Sequence, residues 1–258
     1  MILFLAGTSD ARELAISIEA EGYPVLATVV TESAANSLKA EGLHVHIGRL
    51  TAEDMEEMIR KKNFKAIVDA SHPFAEETSK NALLAAELAN VPYFRYEREI
   101  QSFKDDKLII VKNYEEAANL AAEKRGVIML TTGSKTLHIF TEKLLGLENT
   151  RLLARMLPRL DNMEKCQELG VEQKNIIAIQ GPFSKDLNKA LFENYGVTLM
   201  ITKESGKVGS VDEKLEAASE NGIETIMISR PKVEYVNVYS DFVDMIAAIK
   251  SQVSQKKH

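Results

Sequence analysis

The side chains able to do chemistry concentrate in short stretches that follow apolar runs. Gly7-Thr8-Ser9-Asp10-Ala11-Arg12 follows Ile2 to Ala6 and leads into a helical pattern at Leu14, Ala15 and Ile18. A strand that breaks at Gly and enters a helix offers backbone N–H groups and the positive end of a helix dipole, the setting in which a phosphate binds. The turn has one Gly where the dinucleotide fingerprint wants three. Taken alone, it reads equally as a plain connection in which Asp10 caps the helix and Glu13 completes a capping box.

A second stretch, Asp69-Ala70-Ser71-His72-Pro73-Phe74-Ala75, strings together a carboxylate, a hydroxyl, an imidazole and a proline. His72 is the candidate proton donor. The alternative is that Ser71 caps the following helix, Pro73 takes its first position and His72 faces solvent. Basic residues also gather where strands should end: Arg12, Arg49, Arg95, Arg98, Lys135, Arg155, Arg159, Lys203 and Lys207. If they converge they suit a polyanion; if they scatter they are solvated surface.

No metal site is expected. His44 and His46 share one strand face without a third ligand, and the single cysteine, Cys166, sits in a polar helical stretch and allows no intrachain disulfide. Neither G-x-S-x-G nor a Walker loop occurs, so chemistry carried by a bound cofactor is favoured over a protein nucleophile.

The elements that must position these groups alternate strand and helix throughout, which predicts parallel sheets covered by helices on both faces. Strands are expected at Ile2 to Ala6, Val25 to Val30, Leu43 to Ile47, Ala66 to Ala70, Tyr93 to Arg95 and Leu108 to Val111. A second series is expected at Val127 to Leu130, Arg151 to Arg155, Ile176 to Ile179, Val197 to Thr202 and Thr225 to Ser229. Thr51 with Asp54, Asp161 with Glu164 and Ser210 with Glu213 read as helix starts, and Leu187, Leu191 and Tyr195 read as one buried helix face. The reading is two doubly wound α/β domains, 1–112 and 113–258, joined near Lys112 to Gly126. The Gly7-Thr8-Ser9 turn and Thr132-Gly133-Ser134, each after the first strand of its series, suggest a duplication.

With 258 residues, 45% of them hydrophobic and 27% charged, the chain has the composition of an ordinary globular protein. Its net charge of −6 argues against a general nucleic-acid binder. The first apolar run is too short for a signal core or a membrane span, so no membrane association and a cytoplasmic location are expected.

The ordered set Gly7 to Arg12, Asp69 to Ala75, Tyr96-Glu97-Arg98, Thr132 to Lys135, Arg155 to Pro158, Gln180 to Ser184 and Lys203 to Gly206 resembles the precorrin-6A reductase family of corrin biosynthesis over nearly the whole chain. The resemblance implies two Rossmann-like domains with an interdomain cleft. It also implies transfer of a hydride from NADPH to a C=C–C=N region of precorrin-6A, or its cobalt form, giving precorrin-6B. On that basis Gly7, Thr8, Ser9, Arg12, Thr31, Ser71, Thr132, Gly133 and Ser134 are expected at the cofactor. Lys135, Arg95, Arg155, Gln180, Gly181, Pro182, Phe183, Lys203, Ser205 and Gly206 are expected at the tetrapyrrole and its carboxylates. His72 or a bound water would supply the proton.

The chain departs from the family at Ala6, where members often carry a second Gly, and at Ser71 and Phe74, where many carry Thr and Tyr. The tip of the second strand, Val29-Val30-Thr31-Glu32-Ser33, lacks an acid at its end, and Glu32 close by keeps NADPH and NADH both open. Two other classes fit the residues: a cofactor-free tetrapyrrole synthase or lyase, and a non-catalytic module that binds a small anion. Binding of NADPH separates the first reading from the synthase; consumption of a reduced cofactor separates it from the module.

Overall fold

The structure is a computed structural model that describes residues 1–97, 105–204 and 212–254. The chain divides into two compact units, Met1–Glu99 with Lys232–His258, and Ile100–Pro231.

In the first unit the apolar runs form β1 (Ile2–Ala6), β2 (Val25–Val29), β3 (His44–Ile47), β4 (Ala66–Ala70) and β5 (Tyr93–Tyr96). Between them lie α1 (Ser9–Ala20), α2 (Glu32–Lys39), α3 (Ala52–Lys62) and α4 (Glu76–Ala89). Strand alternation splits β1 between two cores. Ile2 and Phe4 pack with Ala11, Leu14 and Ile18 of α1 and Leu38 of α2, whereas Leu3 and Leu5 pack with Met55 and Ile59 of α3 and Ala82 and Ala86 of α4. With helices on both faces the strand has no solvent side, which is why it is apolar throughout.

The second unit repeats the scheme with β6 (Leu108–Val111), β7 (Gly126–Leu130), β8 (Thr150–Met156), β9 (Ile176–Ala178), β10 (Leu199–Lys203) and β11 (Glu224–Ile228). Its helices are α5 (Tyr114–Lys124), α6 (Leu137–Leu144), α7 (Leu160–Glu168), α8 (Lys185–Tyr195) and α9 (Glu213–Glu220). Met129, Leu153 and Met200 of the sheet pack against Phe192 of α8 and Leu215 of α9.

Both sheets are six-stranded, parallel and wound alike: β3-β2-β1-β4-β5-β12 in the first and β9-β8-β7-β10-β11-β6 in the second, where β12 is Val238–Tyr239. In each, two strands of the series lie on one side of its first strand and two on the other. The sixth place is filled from outside the series. β6 pairs with β11, so this strand, expected in the first domain, belongs to the second sheet. β12 pairs with β5, and α10 (Phe242–Ser254) sends Met245 and Ile249 into the core beneath Ile2 and Phe4. A cut at 112 and 113 therefore does not follow the strand pairing: the chain enters the second unit earlier and leaves it again at Lys232. The cause is that a short Leu-Ile-Ile-Val run carries no local mark of which sheet edge it will join.

Helix caps also differ in part from expectation. Thr51 and Asp54 form a full capping box on α3. On α1 the cap is Thr8, whose hydroxyl accepts the Ala11 N–H, because the helix already runs at Ser9; Asp10 lies in its first turn and the box with Glu13 is not made. α4 begins only at Glu76, so Ser71 is not its cap and Pro73 is buried in the turn ahead of it. On α7 Arg159 holds the cap position and Asp161 forms an ion pair with it at 2.8 Å instead of a box with Glu164. Asp212 caps α9, and Ser210 lies outside the described residues. The buried positions of α8 are Asn188 and Phe192, one step around from the expected face; Leu187 is exposed, and Leu191 and Tyr195 are partly buried. Among the described residues no helix is long and apolar enough to cross a membrane.

Candidate functional site

In a doubly wound sheet the loops diverge where the strand order reverses, and ligands sit beyond the carboxyl ends of those two strands. In the first unit the reversal falls between β1 and β4. There the turn at Gly7 meets the turn at Ser71 and His72 at close quarters. A Cβ on Gly7 would lie 2.7 Å from the His72 backbone nitrogen and 3.0 Å from the Ser71 Cα, so only glycine fits without moving backbone.

A buried polar network holds the second of these turns from below. Asp69, inside the otherwise apolar β4, accepts from the Ser71 N–H through Oδ1 at 3.0 Å and from the Tyr93 hydroxyl through Oδ2 at 2.7 Å. Arg95 pairs with the same Oδ1 at 3.0 Å, donates to the Ser71 hydroxyl at 3.2 Å, and stacks over the Tyr235 ring at 4.8 Å. Burial, the largest single influence, would pull the Arg95 guanidinium down, but Asp69, Tyr235, Glu97 and Tyr93 together outweigh it and the net direction is up. Burial first and Asp69 second push the Tyr93 phenol up. Arg95, expected at the substrate, is thus fully buried and its charge answered within the unit; its visible role is to brace the loop.

His72 is half-buried, and its Nδ1 accepts the Phe74 N–H at 3.2 Å. In the neutral ring that bond leaves the proton on Nε2. The hydroxyls of Thr8 and Thr31, both expected at the cofactor, are engaged as helix caps, so what these turns offer a ligand is backbone N–H. Ser9 is exposed and donates to Asp10 at 3.2 Å, and Arg12 donates to the Ser37 hydroxyl of α2 at 3.2 Å.

In the second unit the reversal falls between β7 and β10. Thr131 ties the two strands through its N–H and its hydroxyl, both on the Ile201 carbonyl at 2.9 Å. The next residue, Thr132, has a buried hydroxyl with no partner among the described residues. Gly133 takes a φ of +81°, and the Ser134 hydroxyl donates to Asn162 on α7.

Cations collect at the same edge. Lys203 closes β10, and its ammonium is pulled down by burial first and then by Lys214 and Lys135. Arg155, near the end of β8, is 7% exposed; it donates to the Asn188 Oδ1 at 2.7 Å and lies 4.6 Å over the Phe183 ring. Burial drags its guanidinium down to about 10 despite Asp212, and among the described residues no carboxylate is within ion-pair distance of it. Gly181 lets the chain turn tightly over Phe183, since a Cβ there would meet the ring at 3.0 Å; Gln180 and Pro182 are exposed. Ser205 and Gly206, expected at the substrate, and Arg98 and Lys207 among the basic strand ends lie outside the described residues.

Residues 1–250 match the family model described as Precorrin-6x reductase CbiJ/CobK. The chain belongs to this reductase family.

Relatives extend over nearly the full length. A cobalt-precorrin-6A reductase of Priestia megaterium is 63% identical over 98% of this chain and 99% of its own. That of Salmonella typhimurium is 34% identical over 89% of this chain and 87% of its own. A precorrin-6A reductase of Rhodococcus erythropolis is 28% identical over 89% of each. The solved structure of a CobK precorrin-6A reductase superposes with a TM-score of 0.80 at 20% identity, covering 97% of this chain and 96% of that one, which establishes the shared fold.

Several members of the two clusters escaped the sequence reading. Asn188 and Asn162 stand inside helices with no motif around them, and Tyr235 arrives from the returning C-terminal segment. Asp69 alone carried a signal: a carboxylate at the end of an apolar parallel strand must be paired.

Proposed function

We propose that this member of the family reduces cobalt-precorrin-6A to cobalt-precorrin-6B in corrin biosynthesis, with NADPH as the reductant and the tetrapyrrole's carboxylates as the main handle. The preference for the cobalt form rests on the greater identity to relatives bearing that name.

A nicotinamide dinucleotide fits the first unit. The strand order, the Gly7 turn pressed against backbone, and the amino end of α1 make the cradle that a pyrophosphate needs. When bound, the nicotinamide supplies a hydride, which together with one proton saturates a double bond of the macrocycle. The protein's own work is then to orient and to protonate. Asp69 and Arg95 hold the Ser71 turn, and His72, charged as the imidazolium, gives its Nε2 proton to the carbon next to the one that takes the hydride and returns to the neutral ring whose Nδ1 accepts the Phe74 N–H.

The observation that carries the reading is Arg155. A buried guanidinium stacked on Phe183, held by Asn188 and with no carboxylate at ion-pair distance among the described residues is costly to leave alone. A substrate carboxylate completes it, with Lys203 and Lys135 adding charge at the same sheet edge. The test is anaerobic incubation with NADPH and either form of precorrin-6A, following the nicotinamide absorbance. Loss of the absorbance with the cobalt substrate is expected. Product formed without any reduced nucleotide would point instead to the cofactor-free class.

A further inference from the structure

We infer that Asn188 is a positioning residue for substrate binding: as a neutral acceptor it fixes the Arg155 guanidinium over the Phe183 ring and leaves the positive charge to be met by a carboxylate of the tetrapyrrole. The inference rests on the reading of Arg155 as that carboxylate's partner.

The buried residues of α8 are Asn188 and Phe192, one turn apart, in a row where burial alone would place apolar side chains. Asn188 is 1% exposed, and a buried amide must have its donor and acceptor met. Its Nδ2 donates to the Ser184 carbonyl at 2.8 Å, the same oxygen that accepts the Asn188 backbone N–H at 3.1 Å, and to the Phe183 carbonyl at 3.5 Å. Ser184 is fixed in turn as the cap of α8, its hydroxyl accepting the Leu187 N–H at 3.2 Å. These contacts orient the amide: a carbonyl only accepts and a guanidinium only donates, so Oδ1 is the atom that faces Arg155. It accepts from Nη1 at 2.7 Å, while the Phe183 ring lies 4.6 Å from the Arg155 Cζ. One side chain thus ties the loop that supplies the ring to the cation stacked on it.

The residue type is the second half of the argument. An aspartate at 188 would have the same shape and would answer the Arg155 charge from within the unit, as Asp69 answers Arg95 at 3.0 Å in the other. The amide gives the guanidinium a direction without neutralising it. Among the described residues no carboxylate lies at ion-pair distance from Arg155, so its strongest interaction, a charge-assisted bond to a carboxylate, is left for a ligand.

The test is steady-state kinetics of the full chain with NADPH and cobalt-precorrin-6A under anaerobic conditions, with thermal melting of each variant. Asn188→Asp should raise the KM for the tetrapyrrole at least about tenfold with kcat within about threefold of the parent, because the new carboxylate takes the place of the substrate's. Asn188→Ala, which leaves the charge unanswered but no longer held, should raise KM less, by about two- to fivefold. A merely structural role reverses that order, since the cavity-forming Ala is then the worse change and the isosteric Asp the milder. In an Arg155→Met background, Asn188→Ala should change KM no further. If Arg155→Met raises KM, then the reversed order, or an Asn188→Ala effect that persists in that background, overturns this inference alone. Should Asn188→Asp fail to fold, a parental KM in Asn188→Ala overturns it as well. A parental KM in Arg155→Met overturns the reading of Arg155 and this inference with it.

Discussion

Asp69 and Arg95 form an ion pair at 3.0 Å with both side chains wholly removed from solvent, directly under the turn that carries Ser71 and His72. Removing one partner strands the other charge. Asp69→Ala should destabilise the chain by about 3–5 kcal/mol, read by chemical denaturation. The double variant Asp69→Asn with Arg95→Met should recover part of that loss. A single-variant loss below about 1 kcal/mol would mean that the pair does not brace the turn.

Gly7 sets the separation of the two turns at the β1–β4 reversal. Gly7→Ala puts a methyl 2.7 Å from the His72 backbone nitrogen, so the loops must part. Nicotinamide nucleotide affinity should fall at least about tenfold, with a stability loss of about 1–3 kcal/mol from the overpacking. Fluorescence titration with NADPH, alongside thermal melting, separates the two effects. Unchanged affinity would detach this turn from the cofactor.

His72 is tested by its effect on turnover. His72→Gln should lower kcat by about 10²- to 10⁴-fold and leave KM nearly unchanged, as expected when a positioned proton donor is lost. Retention of full turnover would transfer the role to water.

Arg155 separates charge from packing. Arg155→Met keeps an apolar stem against Phe183 and deletes the charge, so KM for the tetrapyrrole should rise by at least about tenfold while the fold is kept. A KM equal to that of the parent would exclude the guanidinium as a carboxylate partner.

Lys203 brings a pH dependence. Burial, then Lys214 and Lys135, hold its ammonium below the ordinary value of 10.5. Its charge is therefore lost at lower pH than in a free lysine, and substrate KM should climb on the alkaline side before 10.5 is reached. Lys203→Arg keeps its proton and should flatten that climb. Identical KM profiles in variant and parent would remove Lys203 from substrate binding.

The parts of the site that were legible before the structure are those whose physics is local. A Gly after an apolar run, a Thr or Ser ahead of a helix, and a cation after a strand each state their purpose within a few residues, and so Gly7, His72, Arg155 and Lys203 could be singled out. Local pattern could not place the side chain of Arg95, because an arginine at a strand end reads alike whether it faces solvent or, as here, a buried Asp69 directly opposite on the neighbouring strand.

The sequence by itself determined the class of the molecule: alternating strands and helices, apolar strands that need cover on both faces, and the motif order that marks the reductase family. Tertiary structure decided which strand completes which sheet, sending β6 to β11 and β12 back to β5. It also decided which cation lies buried against a carboxylate, as Arg95 does against Asp69. The physical reason is the same in each case: hydrogen-bond pairing along a strand edge and the partner of a buried charge are chosen by residues tens of positions apart, and no periodicity along the chain records that choice.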